Sequence, residues 1–192
     1  PADAPLLLVP SRLHVNKGLD VMLRALAREP RAYLWLAGSG PEEERLKDLA
    51  RQLGVQDRVR FLGWRADRGA LFRAADIVVF PSRHEPFGTV SLEAWAYQRP
   101  LVAADASGPA ALVQDGRDAL LVPREDDAAL AAAVGRVIDD PACARRLVAQ
   151  GHARYLRDYT EHACVRRYLE TLGRLSGTDP LGVGTDQRAA AG

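Results

Sequence analysis

Short apolar runs recur along this chain with longer amphipathic stretches between them, and that alternation restricts the possible folds more than any other feature. The runs are Leu6-Leu7-Leu8-Val9, Tyr33-Leu34-Trp35-Leu36-Ala37, Val59-Arg60-Phe61-Leu62, Ile77-Val78-Val79-Phe80, Leu101-Val102-Ala103-Ala104 and Ala119-Leu120-Leu121-Val122. Each is four to five residues long, and most are continuous rather than alternating. A strand covered on both faces reads this way, because neither side meets water. The stretches between them carry the helical period. Gly18 to Arg28 sets Leu19, Met22, Leu23 and Leu26 on one face. Pro41 to Leu53 opens on proline and three glutamates, which suit a helix start. Asp126 to Ile138 opens on a carboxylate pair, and Pro141 to Leu156 and Thr160 to Leu175 read as two closing helices. Strands alternating with helices build βαβ units. The expected fold is α/β: a doubly wound, Rossmann-like parallel sheet of about six strands with helices on both faces.

A length of 192 residues fits one domain, and 47% hydrophobic residues supply its core. That domain is expected over residues 6–175, after a linker at 1–5 and before a flexible tail at 176–192 that is rich in Gly, Ala and polar residues. A net charge of +1 gives no sign of a general nucleic-acid surface, and no nucleic-acid partner is expected. Cys143 and Cys164 lie outside any CxxC pattern and read as reduced, buried residues of a cytoplasmic protein. The four histidines are scattered, and the chain has no Asp-X-Asp, so no metal site is expected. With no leader-like segment and no apolar run near 18 residues, the chain is not expected to cross a membrane.

Doubly wound sheets bind ligands beyond the carboxyl ends of their strands, so the loops after each run are the places to search. After the first run, Arg12 and Lys17 bracket a loop leading into a helix start near Gly18. Two cations beside unpaired amides can hold a diphosphate, and taken alone they also fit two solvated surface residues. After the second run comes Gly38-Ser39-Gly40-Pro41. Its glycines fit either a close ligand approach or a plain turn. A dinucleotide fingerprint is disfavoured, because Glu43 stands where the third glycine belongs. After the fourth run, Glu85 and Glu93 are separated by seven residues, with Phe87, Gly88 and Thr89 between them. Glu85 falls in the loop, Gly88 and Thr89 open a helix, and Glu93 is expected to face outward from its second turn. The order is carboxylate, anion-binding helix start, carboxylate, which matches sugar, diphosphate and ribose. The alternative is a loop charge and a solvated helix charge.

This last segment resembles the E-x7-E motif of retaining glycosyltransferases with the GT-B fold, above all family four. The likeness extends to Arg12 and Lys17, to the G-x-G-P turn at Gly38, Gly40 and Pro41, to Phe61-Leu62-Gly63, and to Ala75-Asp76 and Pro81-Ser82 around the fourth run. It runs in register from Leu6 to about Val122. The resemblance implies the C-terminal, donor-binding half of such an enzyme. Glu85 would contact the donor sugar, Glu93 the ribose, and the amides around Phe87, Gly88 and Thr89 the sugar and phosphate. The backbone near Trp64 and Arg65 would lie against the base. Ser11, the segment Ser107-Gly108-Pro109-Ala110-Ala111, and Ala119 depart from the family pattern and leave the donor sugar open.

The resemblance further implies metal-independent transfer, with no cofactor, from a UDP-, GDP- or similar sugar. The acceptor site would lie in a missing N-terminal domain, which could also bring the protein to the cytoplasmic face of an inner membrane. The last helices would pack back against that domain. Such a half should bind nucleotide-sugar but turn over poorly or not at all. Other readings of the same architecture are a nucleotide-sugar epimerase, a phosphorylase half, a non-catalytic nucleotide-binding module, or a nicotinamide-dependent oxidoreductase, the last disfavoured by the broken glycine fingerprint.

Overall fold

A computed structural model describes residues 3–176. Pro1 and Ala2, and the expected tail beyond Ser176, lie outside the described residues. Six strands form: β1 (Leu6–Val9), β2 (Tyr33–Leu36), β3 (Val59–Phe61), β4 (Ile77–Phe80), β5 (Leu101–Ala104) and β6 (Leu120–Val122). All pair in parallel in the order β3-β2-β1-β4-β5-β6. The helices are α1 (Leu19–Arg28), α2 (Glu43–Gln52), α3 (Arg68–Ala74), α4 (Thr89–Ala96), α5 (Ser107–Leu112), α6 (Asp127–Asp139), α7 (Pro141–Asp158) and α8 (Glu161–Ser176). The expected doubly wound α/β fold is present. Two of its helices, α3 and α5, were not expected. At seven and six residues they are too short to show a period, and α5 holds Gly108 and Pro109.

The core has one layer on each face of the sheet. Leu7, Val9, Leu34, Leu36, Val79 and Val102 join residues of α1, α2 and α6 in one apolar cluster. Their neighbours Leu8, Val78, Phe80 and Ala103 are also buried, on the face that α3, α4 and α5 cover. Phe72 and Trp95, fully buried, belong to that second layer. Successive strand residues point to opposite faces, so β4 and β5 need apolar side chains throughout. On β2 the second layer thins: Tyr33 and Trp35 are half-buried while Leu34 and Leu36 are buried.

Pro5 does not behave as a loose linker, because its carbonyl accepts from Tyr33 N at 2.8 Å and extends the β1–β2 ladder. Asp76 also holds strands together. Its carboxylate accepts from Leu6 N at 2.8 Å and its own amide donates to Leu6 O at 2.9 Å. The Ala75-Asp76 motif thus fastens the starts of β1 and β4.

The chain divides into two compact units, with the break between Ala153 and Arg154 inside α7. In the second unit, α8 carries Val165, Tyr168 and Leu175 exposed, and Cys164 is exposed rather than buried as expected. Cys143, in the first unit, is fully buried. Among the described residues no helix is long and apolar enough to cross a membrane.

The sheet places the site. β1 pairs with β2 on one side and β4 on the other, so the crossovers after β1 and β4 leave in opposite directions. A crevice opens between the loops at such a switch point.

Candidate functional site

The two loops that flank the switch point are built as one piece. Beyond β1 the chain turns through a short 3-10 segment, Val15–Lys17, where His14 Nδ1 accepts from Asn16 N at 3.2 Å. Gly18 follows at φ +60°, and a Cβ there would sit 2.1 Å from Pro81 O. Only glycine allows both the left-handed backbone and the close approach of the loop after β4. Asn16 O accepts from the amides of Arg83 and His84, at 2.8 and 3.3 Å.

Arg83 completes the join. Its guanidinium donates to Val15 O at 2.6 Å and to both Asp20 oxygens at 2.8 and 2.9 Å, and it pairs with Glu125. Burial alone would raise the pKa of Asp20. The hydrogen bonds and charge of Arg83 outweigh it and hold the carboxyl at about 2. Asp20, then Glu125, raise the pKa of Arg83 in turn. On this fixed base Lys17 Nζ meets Glu85 Oε2 at 2.7 Å, with both side chains under one-fifth exposed.

The loop after β2 closes the crevice from the other side. A Cβ on Gly38 would lie 2.0 Å from Ser11 O, and one on Gly40 would lie 2.3 Å from Leu13 O. Leu13 N donates to Ser39 O at 3.0 Å, and Glu42 N to Leu13 O at 3.1 Å. The close approach that these glycines permit is therefore between two loops of the chain itself. Gly38 still lines the crevice, and Gly40 does not.

α4 forms the third wall. Gly88 caps it at φ +94° with no side-chain acceptor, so nothing in the cap residue competes for the first amides. Trp95 anchors the helix from below: Nε1 donates to Asp118 O at 2.9 Å, and its carbonyl lies 3.0 Å from His152 Nδ1. α5 braces the preceding loop, with Gly108 N donating to Glu85 O at 2.7 Å.

Glu93, expected to face outward from α4, is partly exposed but paired, so the alternative of a solvated helix charge does not hold. Arg68, at the start of α3, grips it through contacts of 2.6 to 2.9 Å. Nothing in the sequence singles out Arg68. It is one of many arginines, and its partner lies 25 positions away, so no local spacing marks it.

Together these walls enclose a cavity of about 370 Å³, within the usual range for small-ligand sites. Of the residues expected to bind, Arg12, Lys17, Gly38, Trp64, Glu85 and Thr89 line it. Gly40, Arg65, Phe87, Gly88 and Glu93 do not. Arg65 pairs instead with Asp67 at 2.6 Å, and Phe87 is half exposed. Arg68, Ser11 and Val90 line the cavity without having been expected there. Arg12 is exposed, and its guanidinium has no ion-pair partner among the described residues. Among those residues, no three His, Cys, Asp or Glu side chains gather as metal ligands would. The arrangement can hold a doubly charged anion at Arg12, Lys17 and the α4 start, with Glu85 beside it to accept from hydroxyls.

Residues 4–140 match the family model described as Glycosyl transferases group 1. The chain is 40% identical over 174 residues to the lipopolysaccharide core biosynthesis glycosyltransferase LpsD of Rhizobium meliloti (strain 1021), covering 91% of the chain and 51% of that protein. It is 38% identical over 172 residues to LpsE of the same organism, covering 90% and 51%. Among solved structures, Anabaena Alr3699/HepE in complex with UDP and glucose is 30% identical and superposes with a TM-score of 0.84, over 89% of this chain and 48% of that one. The chain thus spans about half the length of the curated relatives it matches.

Proposed function

Because the chain belongs to the group 1 glycosyl transferases, we propose that it is the donor-binding half of a retaining enzyme that transfers a sugar from a nucleoside diphosphate to an acceptor. One observation carries this: Arg12, Lys17, Glu85 and the open start of α4 converge on one cavity at the β1/β4 switch point. The UDP and glucose named for the HepE structure support it. The diphosphate sits between Arg12, Lys17 and the first amides of α4. Glu85 receives hydroxyls of the sugar, Glu93 those of the ribose, and the backbone around Trp64 and Arg65 lies against the base.

In the transfer, the bond from the anomeric carbon to the diphosphate oxygen breaks, and negative charge grows on the leaving diphosphate. Fixed cations and amides aimed at that charge lower the barrier without reorganising at the moment of reaction. Lys17 must then exchange Glu85 for a phosphate oxygen, which frees the carboxylate for the sugar. No divalent cation is assigned a role, so EDTA should leave the transfer rate of the complete enzyme unchanged. The acceptor is assigned to a second half, in keeping with relatives about twice as long. The exposed Val165, Tyr168 and Leu175 of α8 are placed against that half. The chain alone then binds donor and turns over poorly or not at all.

A thermal-shift panel of UDP, GDP, ADP-glucose and NAD tests the proposal. Stabilisation by one or more of the first three is expected. A shift with NAD alone would overturn it in favour of a nicotinamide-dependent enzyme.

A further inference from the structure

Arg68 stands on the cavity wall at the first position of α3, and Glu93 stands behind it on α4. Arg68 Nε donates to Glu93 Oε1 at 2.9 Å, and Nη2 reaches Oε1 at 2.7 Å and Oε2 at 2.6 Å. The guanidinium also lies 6.0 Å from the ring centroid of Phe72, which is fully buried. The fork is thereby held from two sides, by a carboxylate and by a fixed aromatic ring. A carboxylate has about four lone-pair sites, and the contacts with Arg68 leave some of them unused. Glu93 does not line the cavity itself, but its side chain remains 29% exposed beside Arg68, which does.

We infer that Arg68 is a positioning residue that orients Glu93 toward the vicinal hydroxyls of a ribose, and so sets a preference for ribonucleotides over 2′-deoxyribonucleotides. This rests on the proposed function, in which Glu93 receives the ribose. The planar fork locks the carboxylate in one rotamer before ligand arrives, and the rotamer entropy is not lost again on binding. Arg68 lines the same cavity as Trp64, Lys17 and Glu85; in the proposed function Trp64 marks the base, Lys17 the diphosphate and Glu85 the sugar. The competing view is that Arg68 and Glu93 merely clamp α3 to α4. A clamp would affect stability and leave the sensing of a single hydroxyl untouched.

The test is calorimetric titration of the 192-residue chain with UDP, GDP and ADP, each beside its 2′-deoxy counterpart. The ribonucleotide that the unaltered chain binds most tightly is carried forward. The unaltered chain should prefer it over the deoxy form by about 10- to 100-fold, the worth of a charged hydrogen bond or two. Arg68→Ala should shrink that preference to less than about threefold, and Arg68→Lys, which keeps the charge but not the fork, should fall between. Glu93→Gln should also erase it. An Arg68→Ala chain that melts earlier yet keeps the full preference overturns the inference and leaves the proposed function standing. If the alanine variant does not fold, an Arg68→Lys chain with an unchanged preference overturns it equally. No preference in the unaltered chain overturns the ribose role of Glu93 together with the inference. Binding of none of UDP, GDP and ADP overturns the proposed function itself.

Discussion

Basic side chains bond to oxygens of the chain at both ends of the sheet, but the two ends use them differently. Near the amino ends of the strands, the chain saturates its own groups. Arg58 donates to the carbonyls of Leu26, Glu29 and Ala32 at 2.9 to 3.0 Å, closing the end of α1 and the turn into β2. Beside it Arg31 binds Glu29 at 2.8 Å and Asp139 at 2.5 Å, and its bonds lower the pKa of Glu29. At the carboxyl ends, Lys17–Glu85 and Arg68–Glu93 border an open cavity, and Arg12 stands there without an ion-pair partner among the described residues. A pair whose hydrogen-bonding capacity is used up by the chain holds the fold. A pair with spare capacity beside a cavity can exchange partners with a ligand. Arg83 shows that position alone does not decide the matter. It sits at the carboxyl end, yet it is spent on Asp20, Val15 and Glu125 and acts as structure.

The difference can be broken first at the closed end. Arg58→Ala removes three hydrogen bonds and should cost about 3 kcal/mol of stability, at about 1 kcal/mol each. Urea unfolding measures that loss, and nucleotide affinity of the folded variant should stay within about twofold. A variant that binds weakly but unfolds normally would erase the distinction between the two ends. At the open end the signs reverse. Arg12→Ala or Lys17→Ala should weaken UDP or GDP binding by tens-fold or more, about 2 kcal/mol, with the melting temperature almost unmoved. Unchanged calorimetric affinity in both variants would show that the cavity cations do not meet the diphosphate.

The structural pair at the carboxyl end has a pH signature. The folded pKa of Asp20 is about 2, below the unfolded value of about 3.9. Its contribution is therefore present above about pH 4 and is lost as pH falls toward 2, amounting to about 2 kcal/mol. Arg83→Met should remove that acid-sensitive step from the pH dependence of unfolding. An identical acid profile in the variant would contradict the coupling. The smallest effect belongs to exposed helix pairs such as Arg51–Asp48, where Arg51→Ala should change stability by no more than about 0.5 kcal/mol.

The sequence revealed the sheet more readily than the site. β4 and β5 are buried at every position and read as unbroken apolar runs, so their burial on both faces was legible. The carboxyl-end loops could be named as the segments that follow each apolar run, and Arg12, Lys17 and Glu85 fall in them. What one dimension hid were the pairings. Arg68 reaches Glu93 across 25 positions, and Arg83 reaches Asp20 across 63, so neither contact leaves a local pattern. The glycines of Gly38-Ser39-Gly40 were legible as a place of close approach, but the backbone they admit comes from Ser11 and Leu13, which only the packed loops disclose.

The most direct measurement is a crystal structure of this chain with a nucleotide-sugar. The diphosphate is expected between Arg12, Lys17 and the start of α4, with Lys17 Nζ drawn away from its 2.7 Å contact with Glu85 and the freed carboxylate on a sugar hydroxyl. A ligand seated elsewhere, such as the groove lined by Asp76, Pro100, Val137 and Arg145, with the Lys17–Glu85 pair intact, would contradict the central claim.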